Sequence, residues 1–114
     1  ARRFDVICTG LFIRPARCEL VAFANPDSLS RDGLVVAAGN PLNLKSLDDV
    51  AANSAARIGF VRGSVDEGYV EAAGIAEANR VALPDVPTLL SALKGGRIDA
   101  VLSSLVIIAS TLAP

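Results

Sequence analysis

The sequence predicts an α/β domain on a mostly parallel, mixed sheet, with helices covering both faces in a three-layer sandwich. Three observations carry that prediction. From Leu34 onward, short β-branched runs alternate with helix-patterned runs. Glycines, prolines or small polar residues stand at the junctions. And 52% of the 114 residues are apolar, enough at this length to bury the core of one domain.

The first run, Phe4 to Leu11, reads as a strand that stops at Gly10. Glu19 to Phe23 is a short apolar segment. Residues 24–33 are rich in turn formers and supply the one plausible boundary in the chain. Leu34 to Ala38 reads as a buried strand, ended by Gly39-Asn40-Pro41. Ser46 is an N-cap for a helix whose first turn carries Asp48 and Asp49, placed favourably against the helix dipole. Ala56 to Val61 is the next strand. Ser64-Val65-Asp66-Glu67 fits a capping box opening a helix over Val65 to Ala73, which Gly74 closes. Arg80 to Leu83 is a short strand. Pro87 sits in the first turn of the following helix, where its missing N–H costs nothing. Val86, Leu89, Leu90 and Leu93 share one face of that helix. Gly95-Gly96 stops it, Ile98 to Leu102 is a strand, and Ser103-Ser104 leads into a very apolar helix from Leu105 to Leu112.

Charge and composition narrow the function classes. With 11 basic and 12 acidic side chains the net charge is −1, so there is no basic footprint for nucleic acid or an anionic membrane. No apolar run reaches the ~18 residues of a membrane span. Histidine is absent, which removes the commonest general base and metal ligand. Two cysteines cannot make a four-ligand zinc site. Cys8 and Cys18 are expected as buried free thiols, with one disulfide as the alternative in an oxidising compartment. No cofactor, metal or catalytic residue is expected.

The candidate binding residues lie at strand ends, where open α/β sheets place ligands. Arg17 offers a planar fork of donors that holds a carboxylate through two parallel bonds. Phe12 offers an aromatic face that attracts cations. Together they suit a small zwitterion. The plain alternative is a solvated Arg17 beside Glu19 and a core Phe12. The Gly63-Ser64-Val65 turn presents backbone N–H groups at a helix N-terminus, a site for a carboxylate, or else Ser64 only caps its own helix. Ser104 follows the last strand and is either a rim residue or a simple polar helix start.

Taken in order, several segments resemble the polar-amino-acid solute-binding proteins of ABC importers. They are Phe4-Asp5-Val6-Ile7, Gly10, Ile13, Pro15, Arg17, Phe23 and Pro26, then Lys45-Ser46-Leu47-Asp48-Asp49-Val50. Ile58-Gly59-Phe60-Val61-Arg62-Gly63-Ser64 and Leu90 to Val101 complete the set. The resemblance implies a type II periplasmic binding protein fold in which two lobes close on a ligand and present it to a membrane permease. It implies a periplasmic or lipid-anchored extracellular location and no enzymatic activity. It makes Arg17 the holder of the ligand carboxylate, Phe12 a pocket wall, and the Ser64-Val65 turn the second lobe's contribution.

Two departures stand out. Ser104 occupies the place where an ammonium-pairing Asp is common, and Phe12 one where a small polar residue is usual. Both favour a ring-borne positive charge, and the Phe12 to Cys18 and Gly39 to Leu44 segments look most like the ectoine/hydroxyectoine-binding branch. Arg14 has no role in that reading. By the same comparison residues 1–26 form an arm belonging to lobe one, 27–33 a hinge, and 34–114 a nearly complete lobe two. The chain then has the look of a piece holding half a pocket, prone to self-association through uncovered strand edges. The alternatives on the same fold are a ligand-sensing domain of a membrane receptor and a dehydratase.

Overall fold

The computed structural model describes residues 3–8 and 10–112. Thr9 of the first expected strand, and the outermost residues of the expected arm and lobe two, lie outside them. The helices are α1 (Pro15–Cys18), α2 (Leu47–Ala52), α3 (Val65–Ala72), α4 (Val86–Lys94) and α5 (Leu105–Leu112). The strands are β1 (Asp32–Val36), β2 (Ile58–Val61), β3 (Arg80–Leu83) and β4 (Ala100–Ser104). They make one sheet in the order β1-β4-β2-β3. β2 runs parallel to β3 and β4, while β1 runs antiparallel to β4. The sheet is therefore mixed and mostly parallel, as the alternation of elements predicts.

Two-residue periodicity sends alternate side chains to opposite faces. Ile58, Phe60, Ala100 and Leu102 pack on one face with Val50 of α2 and Val70 of α3. Val101 turns to the other face and packs with Leu89 and Ala92 of α4 and with Ile98. Gly59 lies beneath α4, and a Cβ there would come within 2.6 Å of both Ile98 Cδ1 and Leu89 Cδ2. Those two side chains are essentially fully buried and have nowhere to move. Gly59→Ala is therefore expected to cost about 1–3 kcal/mol through overpacking. Urea unfolding reads this directly, and an unchanged midpoint would show the contact to be slack.

Helix starts follow their local sequence. Ser46 Oγ accepts from Asp49 N at 3.3 Å, and Asp85 Oδ1 accepts from Thr88 N at 2.8 Å. The box expected at Ser64 forms only in part. Glu67 Oε2 accepts from Gly63 N at 3.1 Å, one residue earlier than expected, and Ser64 makes no side-chain cap bond. The Asp99 carboxylate accepts from Arg57 N at 2.8 Å and pairs with Arg57 Nε at 3.5 Å, tying the segment before β4 to that before β2.

Three expectations are overturned. The Phe4 to Leu11 run is not a strand: Phe4 and Val6 are 68% and 78% exposed. Strand geometry needs a neighbour to share backbone hydrogen bonds, and among the described residues no strand lies beside this one. Cys8, in that run, is therefore exposed rather than buried; Cys18 at the end of α1 is exposed as well, and the two are unbridged. Finally, Ser103 and Ser104 are the last rungs of β4 rather than a turn, because β1 begins early enough to pair Asp32 with Ser104 and Gly33 with Ser103.

Candidate functional site

Because β1 runs against β4, its first residue lies at the edge where β2 and β4 end. That edge gathers Asp32, Ser104 and the turn after β2. Gly63 takes a positive φ of 75° there, a conformation glycine adopts without steric cost. The Ser30 and Ser104 hydroxyls are 2.7 Å apart. Asp66, in the first turn of α3, is only 5% exposed. Its Oδ2 accepts from Ser64 Oγ at 3.4 Å, and its Oδ1 is buried without a hydrogen-bond partner. Asp32 Oδ1 is likewise buried and unpartnered.

Burial, and secondarily the charge of Asp32, push the Asp66 carboxyl up to about 6, against a smaller lowering by the Ser64 hydroxyl. Burial also raises Asp32. The edge is thus a place where two acids resist ionisation for want of a counter-charge.

The described residues before β1 reach back to α3 through Arg14. Its Nη1 donates to Val65 O at 3.5 Å, a long bond, and its guanidinium stands 5.5 Å from the centroid of the Tyr69 ring. A cleft of about 950 Å³ opens beside this segment, lined among others by Phe12, Arg14, Ser30, Asp32 and Tyr69. Its size falls at the top of the range for small-ligand sites, roughly 300–1,000 Å³.

The sequence-derived site residues distribute as follows. Phe12 lines the cleft. Arg17 folds over its own loop, Nη1 donating to Phe12 O at 2.9 Å. This brings Arg17 and Phe12 together but leaves Arg17 off the cleft wall. Ser64 is the N-cap of α3 and Val65 its first residue, and the Ser104 hydroxyl bonds with that of Ser30. At the turn the Gly63 N–H is taken by Glu67 and the Ser64 N–H by Val61 O at 3.1 Å. Among the described residues no three His, Cys, Asp or Glu come together in a metal-holding group.

Asp32, Asp66, Ser30, Arg14 and Tyr69 were not singled out as site residues from the sequence. For Asp66 a signal existed. It stands four residues before Val70, on the stripe of α3 that also buries Val65, so a carboxylate on that stripe has to be buried. For Asp32 there was none, since its place depends on pairing with β4, 72 residues away in sequence, at Ser104.

No protein-family model matches the chain. Over 100 residues, 88% of the chain, it is 35% identical to the probable amino-acid ABC transporter periplasmic-binding protein y4tE of Sinorhizobium fredii. The chain is a homologue of ABC-transporter periplasmic-binding proteins. It spans about a third of that relative's length, 33%. The crystal structure of EhuB in complex with hydroxyectoine superposes with a TM-score of 0.82 at 32% identity, covering 92% of this chain and 42% of that one. The holo arginine-binding protein of T. maritima gives 0.85 over 98% of this chain and 47% of its own. At 22% identity that likeness speaks for the fold alone, and the fold is the type II periplasmic binding protein architecture. No helix among the described residues is long and apolar enough to cross a membrane.

Proposed function

We propose that this chain forms the second lobe, and the arm leading into it, of an extracytoplasmic solute-binding component of an ABC importer. The ligand is a small zwitterion of the ectoine, hydroxyectoine or polar amino acid class, held between two lobes and handed to a membrane permease. The protein is read as non-catalytic and periplasmic or lipid-anchored, with no nucleic-acid partner. Residues 1–26 are assigned to lobe one, 27–33 to the hinge and 34–114 to lobe two. The carrying observation is the match to EhuB, which runs through both arm and lobe at 32% identity. A cleft lined by Phe12, with the Arg17 guanidinium bonded to the Phe12 backbone carbonyl, supports the same reading.

A thermal-shift panel on a two-lobed form of the protein tests it with ectoine, hydroxyectoine, proline, glutamine and arginine. Ectoine or hydroxyectoine is expected to give the largest upward shift, since ligand binding to the native state alone raises stability with ligand concentration. A larger shift with arginine or glutamine would replace the cyclic ligand by an ordinary amino acid. No shift with any of the five would overturn the solute-binding reading.

A further inference from the structure

We propose that Arg14 is a latch between the two lobes, clamping the segment before β1 onto the start of α3 and so favouring the closed cleft whatever guest it holds. This rests on the solute-binding reading, in which Arg14 belongs to lobe one and α3 to lobe two. The contact joins residues 51 positions apart in sequence, through the Arg14 Nη1 bond to Val65 O at 3.5 Å. The guanidinium also stands 5.5 Å from the centroid of the Tyr69 ring. Arg14 and Tyr69 both line the cleft, so the link is made at the cleft itself.

The start of α3 is shaped to receive a guanidinium. The Val65 carbonyl accepts within the helix from the N–H four residues on and keeps a second lone pair for an outside donor. Tyr69 stands one turn further along the same side. At 43% exposed it is spare to the core, and its ring is open to a cation. Gly68 lies between them, where a Cβ would sit 3.5 Å from Arg14 Nη1 and 3.9 Å from Nη2. Glycine weakens a helix interior, but here it lets the guanidinium rest on bare backbone, and a branched side chain would crowd it off.

The strength of the contact suits a latch better than a fixed brace. Asp66 and Glu67 in the first turn of α3 draw a cation to this end of the helix. Among the described residues the ion pair formed is nevertheless Arg57 with Asp99, so Arg14 is held by a long bond and a ring. A cation over a partly exposed ring biases an equilibrium by roughly two- to tenfold. That favours closure without locking the empty cleft shut. A bias on closure multiplies the apparent affinity for every guest by the same factor, whereas a residue that grips the guest discriminates among guests.

The test starts with the 114-residue chain. Arg14→Gln is expected to shift the Tyr69 ring-proton NMR signals, and Tyr69→Leu the Arg14 Nε–H signal, with the remaining amide spectrum verifying the fold. No mutual response would overturn the latch whatever the protein binds. In the two-lobed form, calorimetry with ectoine and with proline compares both variants and their combination. Each single variant is expected to weaken both guests by the same factor, roughly two- to tenfold, and the double variant by little more than either one. Gly68→Val should reproduce the loss with both partners present, and Gly68→Ala should not. Losses confined to one guest, or adding fully in the double variant, would make the two residues separate ligand contacts and overturn the proposal. Unmodified protein that binds both guests, with variants that bind them equally well, overturns the latch and keeps the solute-binding reading. Unmodified protein that binds neither overturns that reading, and the latch's role with it.

Discussion

Replacing Arg17 by alanine in a two-lobed form of the protein is expected to cost on the order of 2–5 kcal/mol of affinity for ectoine or its congeners. That is roughly thirty- to several-thousand-fold in Kd. The reasoning begins with what already holds the guanidinium. One of its five N–H donors is spent on Phe12 O at 2.9 Å, which fixes the fork against the loop carrying Phe12. The other donors face no carboxylate of the chain closely enough to pair, since among the described residues the ion pair formed is Arg57 with Asp99. A preoriented guanidinium loses little freedom when it meets a carboxylate. Its truncation would leave the ligand's carboxylate desolvated and unpaired. Arg17→Lys should recover only part of the loss, because an ammonium cannot form the two parallel bonds. Calorimetric titration with ectoine measures both variants. An affinity indifferent to Arg17→Ala would place the carboxylate elsewhere.

Asp66→Asn should make the unliganded chain more stable at pH 7, by roughly 2–3 kcal/mol. The carboxyl titrates near 6 in the folded protein against an ordinary 3.8, and each unit of difference is worth about 1.4 kcal/mol. The sign follows from which state holds the proton. Between about pH 4 and 6 the unfolded chain has released it and the folded chain has not, so the contribution of Asp66 to stability is fullest below 3.8. It falls as pH rises and levels off above about 6. The substitution should therefore help little at pH 4 and most at pH 7 and above. Chemical denaturation of both proteins at pH 4, 5, 6 and 7.5 gives the difference curve. Asp85, held below its ordinary value mainly by the Thr88 hydroxyl and then by the Thr88 N–H, acts in the opposite direction at more acid pH. It is common to both proteins and cancels. A flat difference across the range would mean that Asp66 is solvated and ionised in the fold.

The contrast between stability and binding is informative. A carboxylate retained for structure should destabilise the protein when it is neutralised. Neutralising one retained for function should instead stabilise the protein, which is the usual mark of a residue kept at a cost to stability.

Much of this was readable one residue at a time, and the pattern of failures has a single cause. β3 at Arg80–Leu83 and α5 at Leu105–Leu112 fall on their expected residues because local signals bound them: a short apolar run between Asn79 and Pro84, and two serines before an apolar run. Ser46 caps its helix as its place before acids predicts. The Phe4 to Leu11 run carries an equally good strand pattern and forms none, since the pattern specifies a willing strand but not a neighbour. Ser103 and Ser104 look like a turn for the complementary reason. Their backbone is claimed by β1, which no local feature of either segment announces. The site shows the same division. Phe12, Arg17 and the Ser64 turn stand out by residue type and position, whereas Asp32 comes to the edge that carries Asp66 only once β1 has been laid against β4.

Arg31 O accepts from Leu105 N at 2.8 Å, just beside the Ser30–Ser104 contact at 2.7 Å. The first residues to reach the sheet and the first to leave it are thus stitched together at a single corner. A swing of the chain about residues 30–31 would therefore pull on the root of α5 as well, and the apolar flank of that last helix would turn with it.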